Sequence, residues 1–195
     1  MSKPQLIENT DGRRMRTERS RQAIIEATLA LTKEGNLIPT AQAIAERAGV
    51  GIRSFFRHFA DMDTLFTAAD EQSREQYESL FRGGERSGTL QERILHAVQR
   101  RAAGYEAEAN AILSTAAQLW RSKVLRKNYA HYQKALLKDL DNWLPELKNI
   151  SRSKREAVDA VASFEMWHRL RYHQGMSKTA SIELIIELIG QLIKE

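Results

Sequence analysis

Within IIEATLALTKEG, Ile24, Ala27, Thr28 and Leu31 recur at i, i+3, i+4 and i+7, the spacing that lays one stripe along a helix. The same period returns along the chain and predicts helices over 17–34, 41–48, 52–59, 62–81, 90–103, 105–120, 122–143, 154–174 and 179–194. No run of alternating β-branched residues occurs, and no Asn-Gly or Asp-Gly pair joins two apolar runs. The expected fold is all-α with about nine helices.

Several boundaries carry a mechanism. Gly35 suits the left-handed residue that ends the first helix, and Gly175 does the same near the end of the chain. Asp61 is an N-cap for the fourth helix, with Asp63 in the first turn where the helix dipole favours an anion. Thr89 with Glu92, and Ser153 with Glu156, have the spacing of capping boxes. Pro145 stops the helix that ends near Trp143, and Gly104 divides 90–103 from 105–120. The RGGERSG stretch at 82–88 lacks the Gly-Lys-Ser/Thr ending of a phosphate-binding loop and reads as a flexible connection.

Composition narrows the class. With 195 residues the chain can bury a sizeable core, and 42% hydrophobic against 28% charged residues excludes a wholly disordered or collagen-like polymer. Cysteine is absent, which removes disulfides, thiolate metal sites and a Cys nucleophile, and fits a reducing cytoplasm. No stretch is long and apolar enough to span a membrane, and MSKPQLIENTDGRR lacks the apolar core of a secretory signal. The net charge of +5 is uneven: residues 1–60 hold ten cations against six anions, and the rest hold twenty against nineteen. Such an N-terminal excess suits a nucleic-acid contact, though basic arms also occur on proteins that bind none.

Residues 40–59 read TAQAIAERAGVGIRSFFRHF. Two short helices flank Ala48-Gly49-Val50-Gly51, a tight turn in which glycine permits positive φ. In the second, Ile52, Phe55, Phe56 and Phe59 fall at i, i+3, i+4 and i+7, while Arg53, Ser54 and Arg57 lie together elsewhere on the circumference. An apolar back with an Arg/Ser front is what a helix needs to enter the major groove while the domain holds it from behind. A helical hairpin with a solvated basic face is the other reading of the same pattern.

The stretch from Arg21 to Phe66 resembles the N-terminal DNA-binding domain of TetR/AcrR-family transcriptional regulators. The resemblance rests on Thr40, Ile44-Ala45, Ala48-Gly49-Val50, Phe56-Arg57-His58-Phe59 and Leu65 at the family's spacings. It implies an N-terminal three-helix helix-turn-helix domain with a basic arm, over 1–60, and a helical effector-binding and dimerisation domain over 61–195. The implied partners are a double-stranded DNA operator and a second copy of the chain, with no cofactor and no metal. The implied DNA contacts are Arg16, Thr40, Gly51, Ile52, Arg53, Ser54, Phe56, Arg57 and His58. Arg53 and Arg57 would meet guanine O6/N7 or phosphate, Ser54 either a base or a phosphate, and Ile52 a thymine methyl. Three positions depart from the family: its usual Tyr is Phe56, its Lys is Met62, and the Ser after the Val is Gly51. The first two departures remove phosphate contacts that the basic arm from Arg13 to Arg21 would replace.

The last helix, SIELIIELIGQLIKE, places Ile182, Ile185, Ile186, Ile189 and Ile193 together, and Leu184, Leu188 and Leu192 widen the stripe to most of the circumference. Burial on two sides is required. The family resemblance implies pairing of 154–174 and 179–194 across a two-fold axis, with Phe164 and those five isoleucines at the interface; burial within one chain is the alternative. Large or amphipathic residues between, including Phe66, Tyr77, Trp143 and His168, either fill the core or line a cavity. His96, Tyr105, Gln118, Trp120, Met166 and Trp167 are the effector candidates. They suit an apolar or aromatic small molecule, cationic where Glu165 or Glu108 turns inward.

Enzymatic function finds little support. The chain has no His-Glu-x-x-His, Gly-x-Ser-x-Gly, Walker or dinucleotide motif, and its five His include no i, i+4 pair. A helical interaction protein with a basic arm remains the alternative to a regulator.

Overall fold

A computed structural model describes residues 6–194, with side chains from Gly12 onward. Residues 1–5, with Lys3 and Pro4, lie outside the described residues. Nine α-helices and no strand are present among the described residues: α1 (Leu6–Lys33), α2 (Ala41–Arg47), α3 (Ile52–His58), α4 (Met62–Phe81), α5 (Leu90–Gln118), α6 (Lys123–Trp143), α7 (Arg152–Val161), α8 (Phe164–His168) and α9 (Lys178–Ile193). A 3-10 turn at Pro145–Lys148 follows α6, and a π-helical turn at Arg169–His173 follows α8. No described helix is long and apolar enough to cross a membrane.

Four expected boundaries move. α1 begins at Leu6 rather than 17, so the basic segment is helical. Straight-chain Arg, Glu and Met favour this, and the single Gly12 opposes it by only about 1 kcal/mol. Gly104 does not interrupt α5. The predicted 154–174 helix is instead two helices broken at Ala162–Ser163, because the Ser163 hydroxyl accepts from the Met166 N–H at 3.2 Å and starts α8 afresh. α7 is capped by Ser151 rather than Ser153. The Thr89–Glu92 capping box is present, and Gly35 (φ 94°) closes α1 with Asn36 N–H donating to Leu31 O at 3.0 Å.

The chain divides into two compact units. One comprises residues 1–73 and 110–128, the other 74–109 and 129–195. This differs from a simple division at 60, and side-chain chemistry explains the addition of 110–128. Asn110, Ser114, Gln118 and Ser122 recur every four residues. Asn110 donates to Lys33 O at 2.9 Å, Ser114 and Gln118 donate to Leu37 O at 2.8 and 3.1 Å, and Ser122 donates to Asp63 at 2.5 Å. The apolar centre of this unit is Ile24, Ile25, Ile44, Phe55, Phe59 and Leu65, which joins α1, α2, α3 and the start of α4. Burying each large side chain stabilises by roughly 1.5–3 kcal/mol.

In the second unit α9 packs on α7. The 82–88 segment is pinned, contrary to a loose connection: Arg86 pairs with Asp139 at 2.5 Å and lies over the Trp143 ring. Gly104 has its own reason to lack a side chain, since a Cβ there would sit 2.5 Å from the Phe81 ring. Gly104→Ala should therefore destabilise the protein by about 1–3 kcal/mol through overpacking, although alanine is the better helix former by roughly 1 kcal/mol. Denaturant melts of the parent protein and the alanine variant check this, and a stabilised alanine variant would contradict the packing argument.

Candidate functional site

The turn between α2 and α3 is built from backbone geometry. Thr40 caps α2, its hydroxyl accepting from Ala43 N–H at 3.2 Å. At the other end Gly49 (φ 66°) allows Val50 N–H to donate to Ala45 O at 3.0 Å and Gly49 N–H to Glu46 O at 3.1 Å. This arrangement reverses the chain and sends Val50 back against the core. Gly51 does not use the left-handed region; it is an extended N-cap (φ −71°) whose carbonyl accepts from Ser54 and Phe55 N–H at 2.8 and 3.1 Å.

α3 has a buried back and an exposed front. Phe55 and Phe59 are enclosed, and Ile52 is half-buried beside them. Arg53 and Arg57 are exposed, and Arg57 donates to the Ser54 hydroxyl at 2.9 Å, which holds the guanidinium along the front of the helix. Phe56 stands edge-on to Phe55 and is 53% exposed. Arg47 is not part of this front; it pairs with Glu34 at 2.5 Å. Arg16 is exposed on α1, where its Nε donates to Gly12 O at 3.2 Å, so it belongs to a helix and not to an extended arm. His58 is half-buried with Nε2 enclosed and unpartnered. Desolvation and the neighbouring Arg57 and Arg21 push its pKa below the ordinary 6.5, against a smaller opposing pull from Glu18.

An exposed, cation-bearing short helix held by two buried rings behind a glycine turn has the form of a recognition helix. Residues 24–69 match the model of the bacterial regulatory proteins of the tetR family. Residues 24–69 are thus a TetR-family domain. A crystal structure of a transcriptional regulator from Rhodococcus sp. Rha1 is similar in fold, with a TM-score of 0.65 at 16% identity, covering 91% of this chain and 95% of that one. No curated protein matches the chain.

The six effector candidates do not converge. Tyr105 and Trp167 are buried and line one small cavity with Val98, Arg101, Ala102, Ala162 and Ile185. Gln118 belongs to the other unit, where its amide donates to Leu37 O and its carbonyl oxygen accepts from Arg121 at 2.5 Å. Trp120, also of that unit, is 79% exposed. His96 meets the edge of Trp143 at 6.5 Å, and Met166 is half-buried; neither lines the cavity. Glu165 accepts from Tyr129 at 2.6 Å, and the charged side chain on the cavity is the cation Arg101. Sequence reasoning missed Arg101, since one Arg of an Arg-Arg pair carries no signal of burial. It also missed Asn110, Ser114 and Ser122, although their four-residue spacing was available.

The interface candidates divide as well. Phe164 is buried between Tyr105 and His168, with ring centroids 5.6 and 5.5 Å away. Ile185, Ile189 and Ile193 are buried within the chain, while Ile182 and Ile186 are partly exposed.

Burial also lowers the pKa of His168, with His173 adding to the effect. For both His58 and His168 the folded chain favours neutral imidazole, so the unfolded chain binds protons first as pH falls through about 6.5. Stability should decline with acidification below that value and be fully restored above it. In melts from pH 8 to pH 5.5, His58→Gln and His168→Gln should each flatten the profile; an unchanged slope in both would contradict the assignment.

Proposed function

We propose that the protein is a repressor that binds a palindromic operator as a homodimer and releases it when a small molecule occupies the C-terminal unit. The observation that carries this reading is the front of α3, where Arg53 and Arg57 stand exposed while Phe55 and Phe59 anchor the helix. Arg53, Ser54 and Arg57 would meet base edges or phosphates, with Gly51 and Phe56 close to the DNA. Thr40 and His58 would contact the backbone, and Arg16 would approach phosphate from α1. No catalysis of its own is part of this reading, and the place of action is the cytoplasm.

Two recognition helices must lie about 34–36 Å apart to read successive half-sites, which requires a two-fold partner. The partly exposed edges of α9, with Ile182 and Ile186 on one side of the buried isoleucines and Leu184, Leu188 and Leu192 on the other, are the surface a second copy would cover. Regulation would be a population shift, the effector favouring an arrangement of the recognition helices that no longer fits the operator. α4 and α5 would transmit it, since each contributes residues to both units.

Selection of bound duplexes from a random pool at physiological salt tests the reading, because charge-only binding weakens steeply there. An inverted repeat is expected. Folded protein that recovers no consensus would favour a helical interaction protein instead. With the operator in hand, Arg57→Ala should weaken binding by about 1–3 kcal/mol, measured by fluorescence anisotropy. Phe56→Tyr should strengthen it by up to ~1.5 kcal/mol through a new hydroxyl near phosphate; lower affinity in a folded variant would contradict the proposed docking.

A further inference from the structure

We infer that the effector is an apolar carboxylic acid whose carboxylate is received by Arg101 and Tyr105. The inference rests on the ligand-responsive reading above and adds the chemical class of the ligand. Arg101 is 4% exposed, yet no carboxylate among the described residues forms an ion pair with it. Its Nη1 donates to Ala162 O at 3.1 Å and its Nη2 to Leu136 O at 2.5 Å, while Nε is enclosed without a partner. The charges of Asp139 and Asp159 reach Arg101 only at longer range, and a buried guanidinium with no carboxylate in direct contact is an expensive arrangement, which an incoming anion would relieve.

The nearby carboxylates do not fill that role. Asp139 is taken by Arg86 at 2.5 Å. Asp159 feels the charge of Arg101, but burial raises its pKa and so disfavours the anion. A second donor is already in place: the Tyr105 hydroxyl reaches the same Ala162 carbonyl at 3.0 Å. That carbonyl is free to accept because the chain breaks at Ala162–Ser163, where Met166 N–H turns to the Ser163 hydroxyl instead of continuing the helix. A carboxylate could accept from Nε with one oxygen and, once the phenol O–H turns from Ala162 O, from Tyr105 with the other.

The remaining lining is Val98, Ala102, Trp167 and Ile185, a surface for a hydrocarbon or aromatic body. The space between these side chains holds about one water molecule, so ligand entry requires displacement of the lining. Trp167 is the largest side chain of that lining. It sits on α8, a helix of five residues bounded by the Ser163 cap and the π-helical turn, and π turns recur at functional sites.

Calorimetry and thermal melting with hexanoate, octanoate, benzoate and phenylacetate, each beside its primary amide, test the inference on the full chain. The acids should bind and raise the melting temperature, with the amides at least tenfold weaker. Arg101→Met should weaken the acids at least tenfold while leaving the amides unchanged, and Arg101→Lys should fall between. Tyr105→Phe, which keeps the ring, should weaken the acids several-fold and supports the test if Arg101→Met does not fold. Amides that bind as tightly as acids would overturn the carboxylate class and leave a ligand-responsive regulator standing. Absence of binding by any of the acids would overturn the inference. Acids that bind through Arg101 without weakening operator binding would uphold the site and overturn the proposed response.

Discussion

Every interruption of a helix leaves backbone carbonyls that must find donors, and in this protein α5 supplies many of them from its side chains. In one unit Asn110 answers Lys33, and Ser114 with Gln118 answers Leu37. In the other, Arg101 and Tyr105 answer Ala162. The length of α5 follows from this duty as much as from helix propensity. Within each unit the donors share one face of α5 because the helical period is unbroken there. The residue that looks like a helix breaker is therefore a packing residue, small because Phe81 lies against it.

The fold class and the helix-turn-helix were legible in the sequence because both depend on local signals. Period, capping residues and a left-handed glycine act within a few positions, and Gly35, Gly49, Asp61 and Thr89 all did what their chemistry predicts. The long-range polar contacts were not legible. Gln118 and Trp120 are neighbours in sequence and both looked like pocket residues, but one is a buried clamp and the other an exposed ring. Nothing local separates them, since a residue's side of a helix is decided by what packs there. Arg101 illustrates the same limit, because its burial depends on carbonyls 35 and 61 residues away.

The presentation of α3 also shows how a seven-residue helix, too short to persist alone in water, can hold a precise surface. Its stability is borrowed from Phe55 and Phe59, and its direction is set by the turn at Gly49. Sequence can vary on the front without unfolding the domain, because its side chains are exposed. The Arg57–Ser54 hydrogen bond is the exception, since a change at either position would alter the aim of the other.

The three tryptophans stand in three different surroundings. Trp120 is open to solvent, Trp143 is enclosed beneath Arg86, and Trp167 lines the small cavity. Their intrinsic emission therefore divides spectrally without any added label. A water-soluble quencher such as iodide reaches Trp120 alone, and the residual blue emission reports on the interior of the other unit. Because the chain has no cysteine, a single engineered thiol adds an orthogonal dye position with no background. The protein thus carries its own optical reporters for following each unit separately.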